Sequence, residues 1–170
     1  FSHLRGRMCE EQAPWSYPGR ARELLAGASS VLDMGTGGGE RLLSLRDAWP
    51  AKVAVTEDYP PNVQLAQERL SPLGVRVEVV ELTRTGPMPF EDGEFDLVLN
   101  RHSGFSCAEL VRVLAPGGTF LTEQVHGLWA RDLIAAFGAA PPWPDDTPEL
   151  QVSCLQAAGL TVEAVQEWPG

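Results

Sequence analysis

Several things are scarce in this 170-residue sequence, and each shortage removes a class of function. No apolar run approaches the roughly 20 residues that a membrane-spanning helix needs, and no signal peptide opens the chain. The expected location is therefore cytoplasmic, with no membrane partner. Cysteine is rare: Cys9, Cys107 and Cys154 are odd in number and far apart, with no CxxC pair and no nearby histidine to complete a zinc site. They read as core or surface thiols, and no metal is expected. Basic charge is also short, with 13 Lys and Arg against 23 Asp and Glu, a net charge of −10. Proteins that grip nucleic acid carry a basic face, because neutralising phosphate drives that binding. The one local exception is the N-terminus, where Arg5, Arg7, Arg20 and Arg22 outnumber Glu10 and Glu11. It reads as a solvated, partly disordered arm. The chain begins at Phe1 rather than Met, which reads as a fragment of a longer protein.

What is present suits one domain with a hydrophobic core, without internal repeat or second domain. Apolar runs of strand length recur at Val31–Met34, Val53–Thr56, Val75–Val80, Phe95–Leu99 and Thr119–Val125. Helical patterns lie between most of them: Gly39 to Trp49, a helix started by Pro61 that ends before Pro72 and Gly74, and Cys107 to Leu114, stopped by "APGG". This alternation predicts a parallel sheet with helices on both faces. The stretch Thr83 to Gly93 reads as loop. Further on, Trp129 to Phe137 reads as a helix, Thr147 caps another that ends before Gly159, and Leu160 to Val165 alternates like a half-buried strand.

The chemistry concentrates in "VLDMGTGGGE", Val31 to Glu40. A strand, a glycine loop and a helix start place free backbone N–H groups at the carboxyl edge of a sheet, where doubly wound folds bind nucleotides. The nicotinamide fingerprint GxGxxG fails here, because counting from Gly35 its third glycine falls on Glu40. A glutamate opposes a pyrophosphate by like charge. The observed spacing is DxGxGxG, from Asp33 through Gly35 and Gly37 to Gly39, an acidic loop suited to a cationic nucleoside. About 20 residues on, "VAVTEDYPPN" ends a strand at Glu57 and Asp58, the separation expected of a carboxylate that accepts from ribose hydroxyls. The competing reading is a pair of strand-end surface charges.

These stretches resemble the class I S-adenosylmethionine-dependent methyltransferases. "VLDMGTGGGE" looks like the first motif, "VAVTEDYPPNVQLA" like the second strand and helix, "MPFEDGEFDLVLNRHS" like the fourth-strand region, and "ELVRVLAPGGTFLTEQ" like the following helix, turn and fifth strand. Together they cover about Ser29 to Gln124 in the family's order.

The resemblance implies a three-layer α/β/α Rossmann-like methyltransferase fold with a mostly parallel sheet. It also implies S-adenosyl-L-methionine as cofactor and an N-terminal arm with a cofactor-covering helix over residues 1–28, ahead of a methyltransferase domain over 29–170. Asp33, Gly35, Thr36, Gly37 and Gly39 would then hold the methionine and ribose part of the cofactor, with Glu57 and Asp58 at the ribose and Asn100 near the methyl donor. Leu82 and Thr83 are the candidates beside the adenine, where "VVELTRTGP" departs from the family pattern. Trp15 and Tyr17 would close over the cofactor or face the acceptor. Arg101 either pairs an acceptor carboxylate or phosphate or, the favoured reading, bonds to a Glu or Asp of the fold, and His126, with Trp143, would lie toward the acceptor side. His102 is the candidate general base, and its alternative is a structural hydrogen bond at the strand end. The family's sheet usually ends in an antiparallel hairpin. Here Leu160 to Val165 offers one strand, so part of the fold is expected to lie outside the chain. The expected partner is a small-molecule acceptor. An RNA methyltransferase using the basic arm and a cofactor-binding module without catalysis stand as alternatives.

Overall fold

The computed structural model describes Gly6, residues 13–80 and residues 87–168. Helix α1 (Tyr17–Leu25) begins where the Ser16 hydroxyl accepts the Gly19 N–H at 3.1 Å, and Pro18 sits in its first turn, where no N–H is needed. It buries Tyr17, Ala21 and Leu25, which line one face at helical spacing. Strand β1 (Ser30–Met34), helix α2 (Glu40–Leu43), strand β2 (Lys52–Glu57), helix α3 (Pro60–Leu70) and strand β3 (Arg76–Val79) follow. The second half holds β4 (Phe95–Arg101), α4 (Cys107–Val113), β5 (Leu114–Glu123), α5 (Arg131–Ala136) and α6 (Pro148–Ala157).

All pairings among the described residues are parallel, in the order β3-β2-β1-β4-β5. The open, parallel α/β/α arrangement is the one expected from the alternation of strands and helices. The sheet's direction of winding reverses between β1 and β4, and this switch point puts the carboxyl ends of β1, β2 and β4 around one crevice. Val31, Leu32, Val55, Val98 and Leu99 are at most 1% exposed, as strands covered on both faces must be. One core cluster packs α1, α2 and α3 on the sheet through Leu25, Leu42, Ala66 and Leu70. A second gathers Phe95, Leu110, Val113 and Leu155. At the opposite sheet edge Asp96 accepts from the backbone N–H groups of Ser29 and Ser30, locking the starts of β4 and β1 together.

Arg112 organises the approach to β4. Its guanidinium donates to the carbonyls of Met88 and Phe90 and pairs with Glu109 and Asp92, while Glu109 accepts the Met88 N–H at 2.7 Å. Its bonds to Glu109 and Asp92 raise the basicity of Arg112.

Four expectations need correction. The helix expected over Gly39 to Trp49 is one turn of α2 followed by a 3-10 turn over Arg46–Ala48, because Leu45 leaves the helical region. The "APGG" segment lies within β5, whose register with β4 jumps from Leu114 to Thr119 in a bulge. Leu160 to Val165 forms no strand. Pairing needs a partner ladder, and the segment instead lays Leu160 and Val162 against the second core cluster. Finally, Cys107 and Cys154 are joined in a disulfide linking α4 to α6, across 47 positions of sequence that the fold brings together. No helix among the described residues is long and apolar enough to cross a membrane.

Candidate functional site

The glycine loop leaves β1 and folds back over the end of β2. The N–H of Thr36 bonds to the Thr56 carbonyl at 3.0 Å, and the N–H of Gly35 to the Thr56 hydroxyl at 3.3 Å. The N–H of Gly37 then reaches the Glu57 carboxylate at 2.6 Å. Gly35, Gly37 and Gly39 all have positive φ, at 65°, 64° and 82°, a region that costs side-chain-bearing residues dearly. The glycines divide the work. A Cβ on Gly39 would meet Leu70 at 2.9 Å, so this glycine lets the loop pack onto α3. A Cβ on Gly37 would meet no atom of the described residues within 4 Å, so that backbone is bare toward the crevice. Arg69 of α3 braces the loop from behind, donating to the Gly38 carbonyl at 2.7 Å and pairing with Glu40.

Glu57 is buried, and both of its oxygens are engaged. One accepts from Gly37, and the other accepts the N–H groups of Asp58 and Tyr59, each at 3.0 Å. A carboxylate offers about four lone-pair directions. The oxygen facing the glycine loop therefore keeps one acceptor position, and the other is filled. The sequence reading gave Glu57 to a ligand alone; in the structure it also shapes the loop. Asp58 beside it is exposed and points its charge to water.

Asp33 lies across the sheet from Leu99 and one position before the pair Met34 and Asn100. Removal from water pushes its carboxyl up to about 6, the Glu57 charge adds to the rise, and the Thr36 hydroxyl and Arg41 oppose it. With a raised pKa the folded state holds a proton that the unfolded chain releases, so ionising Asp33 between about pH 4 and pH 6 costs stability. A ligand carrying an ammonium group offsets that cost. Binding of such a ligand should therefore weaken below pH 6, by about tenfold between pH 7 and pH 5. Calorimetric titration with S-adenosylhomocysteine at the two pH values checks this.

Asn100, at the end of β4, is fully buried. Its Oδ1 accepts from Thr122 at 3.3 Å and from Gln124, whereas its Nδ2 meets no acceptor among the described residues. A buried amide donor without a partner is costly, and it sits at the crevice. The Tyr17 phenol is buried near the same place. Its ionisation is strongly opposed, first by burial and then by the charges of Asp33 and Glu123, so it stays a neutral O–H.

Glu123, at the end of β5, was not singled out in the sequence. It is the hub of the adjoining rim. Its carboxylate accepts from the Trp15 indole N–H at 3.0 Å and from Arg101 Nε, and His102 Nε2 stands 3.6 Å away. His102 has a left-handed backbone (φ 58°), held by its N–H bond to the Glu123 carbonyl at 2.9 Å, and its side chain is exposed. Only the partner contacts across β4 and β5 reveal Glu123's place. No local motif marks it. His126 follows in the next loop, exposed, accepting the Leu128 N–H at 3.0 Å. Trp15, Tyr17, Arg101 and His102 are thus gathered around Glu123, while Leu82 and Thr83 lie outside the described residues.

A glycine loop pinned to the acid at the end of the neighbouring strand, at the switch point of an open parallel sheet, defines a nucleoside-binding α/β protein. Comparison with known proteins narrows the class. Residues 31–118, about half of the chain, match the family described as a methyltransferase domain. The chain belongs to that family, whose class I members are S-adenosylmethionine-dependent methyltransferases. It is 35% identical over 103 residues to a demethylmenaquinone methyltransferase of Thermus thermophilus, spanning 55% of this chain and 46% of that protein. Over 121 residues it is 33% identical to a ribosomal protein L11 methyltransferase of Bradyrhizobium diazoefficiens, spanning 65% of this chain and 40% of that protein. The chain thus spans under half the length of these curated relatives. Among solved structures, an S-adenosylmethionine-dependent methyltransferase from Mesorhizobium loti superposes with a TM-score of 0.69 at 16% identity, over 89% of this chain and 83% of that one. At that identity the likeness shows the fold.

Proposed function

We propose that this protein transfers a methyl group from S-adenosylmethionine to a small organic acceptor. The observation that carries the reading is the pinned loop: Gly37 bare toward the crevice, its N–H held by Glu57, with Asp33 and the unpartnered Asn100 amide on the same edge. The cofactor supplies a sulfonium methyl already activated for displacement. In this reading Asp33 attracts the ligand's ammonium group, Glu57 accepts a ribose hydroxyl at its remaining position, and Asn100 Nδ2 donates to the ligand near the reacting end. Tyr17 and Trp15 close the crevice from the N-terminal side and exclude water. A displacement of this kind asks mainly for alignment, so the protein's task is to bind and orient.

His102 takes the proton of an acceptor that must lose one. If so, His102→Asn should lower turnover of a protonated acceptor by about a hundredfold while leaving cofactor affinity unchanged. Unchanged turnover, measured by S-adenosylhomocysteine release, would leave His102 with its structural bond alone.

The RNA reading has less support: Arg20 and Arg22 of the basic arm are already paired, with Glu23 and Asp47. The experiment that tests methyl transfer is incubation of the protein and S-adenosylmethionine with a fractionated small-molecule extract. The expected result is S-adenosylhomocysteine formation that the Gly37→Val variant does not show. Tight cofactor binding with no turnover on any fraction would point to a module that binds without catalysis.

A further inference from the structure

We infer that the acceptor is an uncharged molecule with an apolar body, and that Glu123 is the specificity-determining residue that bars acidic acceptors. The inference rests on the methyl-donor reading of the crevice. A guanidinium at the end of β4, beside the reacting edge, is the natural clamp for a carboxylate or phosphate. Here the Nε edge of that guanidinium is committed. Arg101 Nε donates to Glu123, and the two side chains are only 30% and 19% exposed. Drawing Arg101 away would strand a half-buried carboxylate, the change that makes breaking such pairs expensive. The Trp15 indole N–H fixes the other Glu123 oxygen, so the carboxylate cannot simply turn aside. An incoming anion would also face Asp33, whose charge reaches the same Tyr17 phenol that Glu123 does. An acceptor cation fares no better, because it would have to approach the positive sulfonium.

The apolar body follows from what lies past β5. Gln124 ties the start of this segment to Asn100 and to the Ser103 carbonyl, so it continues directly from the crevice. Trp129, Leu133 and Phe137 then recur every fourth residue along α5 and its flanks, 62%, 62% and 83% exposed. Helix α5 buries none of its residues. Trp143, 69% exposed, belongs to a loop held against Gly127, whose N–H bonds to the Asp146 carbonyl at 2.7 Å. A run of exposed apolar residues beside a charge-neutralised rim matches an uncharged, apolar ligand.

The test titrates the complex of the whole chain and S-adenosylmethionine, which carries the sulfonium, with three probes of one shape: benzyl alcohol, benzoate and benzylamine. Calorimetry and ligand-observed NMR read the affinities. Benzyl alcohol should bind about tenfold or more tightly than either charged probe. Glu123→Gln still accepts the Trp15 N–H but frees Arg101, and it should raise benzoate affinity about tenfold relative to that of benzyl alcohol. The double change Trp129→Ala and Phe137→Ala should weaken benzyl alcohol. Benzoate or benzylamine binding the wild type as well as benzyl alcohol does would overturn the inference, as would no binding of benzyl alcohol. The wild-type ranking decides even if a variant fails to fold. Failure of S-adenosylmethionine itself to bind would instead overturn the methyl-donor reading on which the inference rests.

Discussion

Glu57→Ala should weaken S-adenosylhomocysteine binding by at least about a hundredfold, because hydrogen bonds to a charged group are worth about 1.5–3 kcal/mol each and several are lost together. The substitution removes the acceptor proposed for the ligand and also the partner of three backbone N–H groups, those of Gly37, Asp58 and Tyr59. The loop then loses the contact that fixes its distance from β2. Glu57→Gln separates the two roles. A glutamine keeps one oxygen but cannot accept on both sides of the group, so its loss should be smaller than alanine's and larger than tenfold, about 1.4 kcal/mol. Calorimetric titration of both variants, with circular dichroism to confirm the native fold, checks the order. Equal affinity in wild type and Glu57→Ala would remove Glu57 from the site.

The second large effect is expected at Gly37. Valine there must adopt φ near 64°, where a β-branched residue is a strained outlier. It also projects its side chain into the crevice, where glycine leaves bare backbone. Cofactor binding should be lost, with affinity reduced at least about a thousandfold, since roughly 4 kcal/mol of strain and blocked contact is well within reach. A Cβ at Gly37 meets no atom of the described residues, so the fold itself should survive with only the backbone strain of about 1–3 kcal/mol. Gly39→Val is the contrast. There the added Cβ collides with Leu70, and the loss should appear first as a lowered unfolding midpoint. Thermal unfolding and titration of the two variants side by side distinguish a glycine kept for the ligand from one kept for packing.

The switch-point crevice was legible in the sequence because its parts are local. Strand, glycine loop and helix start are contiguous from Val31 to Glu40, and the acid follows at a spacing the βαβ unit imposes. The same locality made the five strand segments readable along the chain. The rim was legible only in pieces. Trp15, Arg101, His102 and His126 stood out as side chains with suitable chemistry. Glu123, which joins the first three, lies 108 positions from Trp15 and 22 from Arg101, so its place depends on the pairing of β5 with β4. Glu57's second role as a loop brace escaped for a related reason: a backbone N–H donor leaves no mark in the sequence. Leu160 to Val165 alternates like a strand, yet alternation names a face to bury and not a partner to pair with. Its Leu160 and Val162 find the core beside α6 without a ladder. The disulfide between Cys107 and Cys154 depends likewise on α4 and α6 meeting in space.

The central claim is that the loop from Asp33 to Gly39 and the acid Glu57 hold a cationic nucleoside rather than a dinucleotide. Calorimetric titration of the whole chain with S-adenosylmethionine and with NAD, under identical conditions, tests it most directly. S-adenosylmethionine should bind in the micromolar range, about 8 kcal/mol. NAD should give no heat of binding, because its pyrophosphate would face Glu40 and Glu57. A folded protein that binds NAD and ignores S-adenosylmethionine would contradict the account.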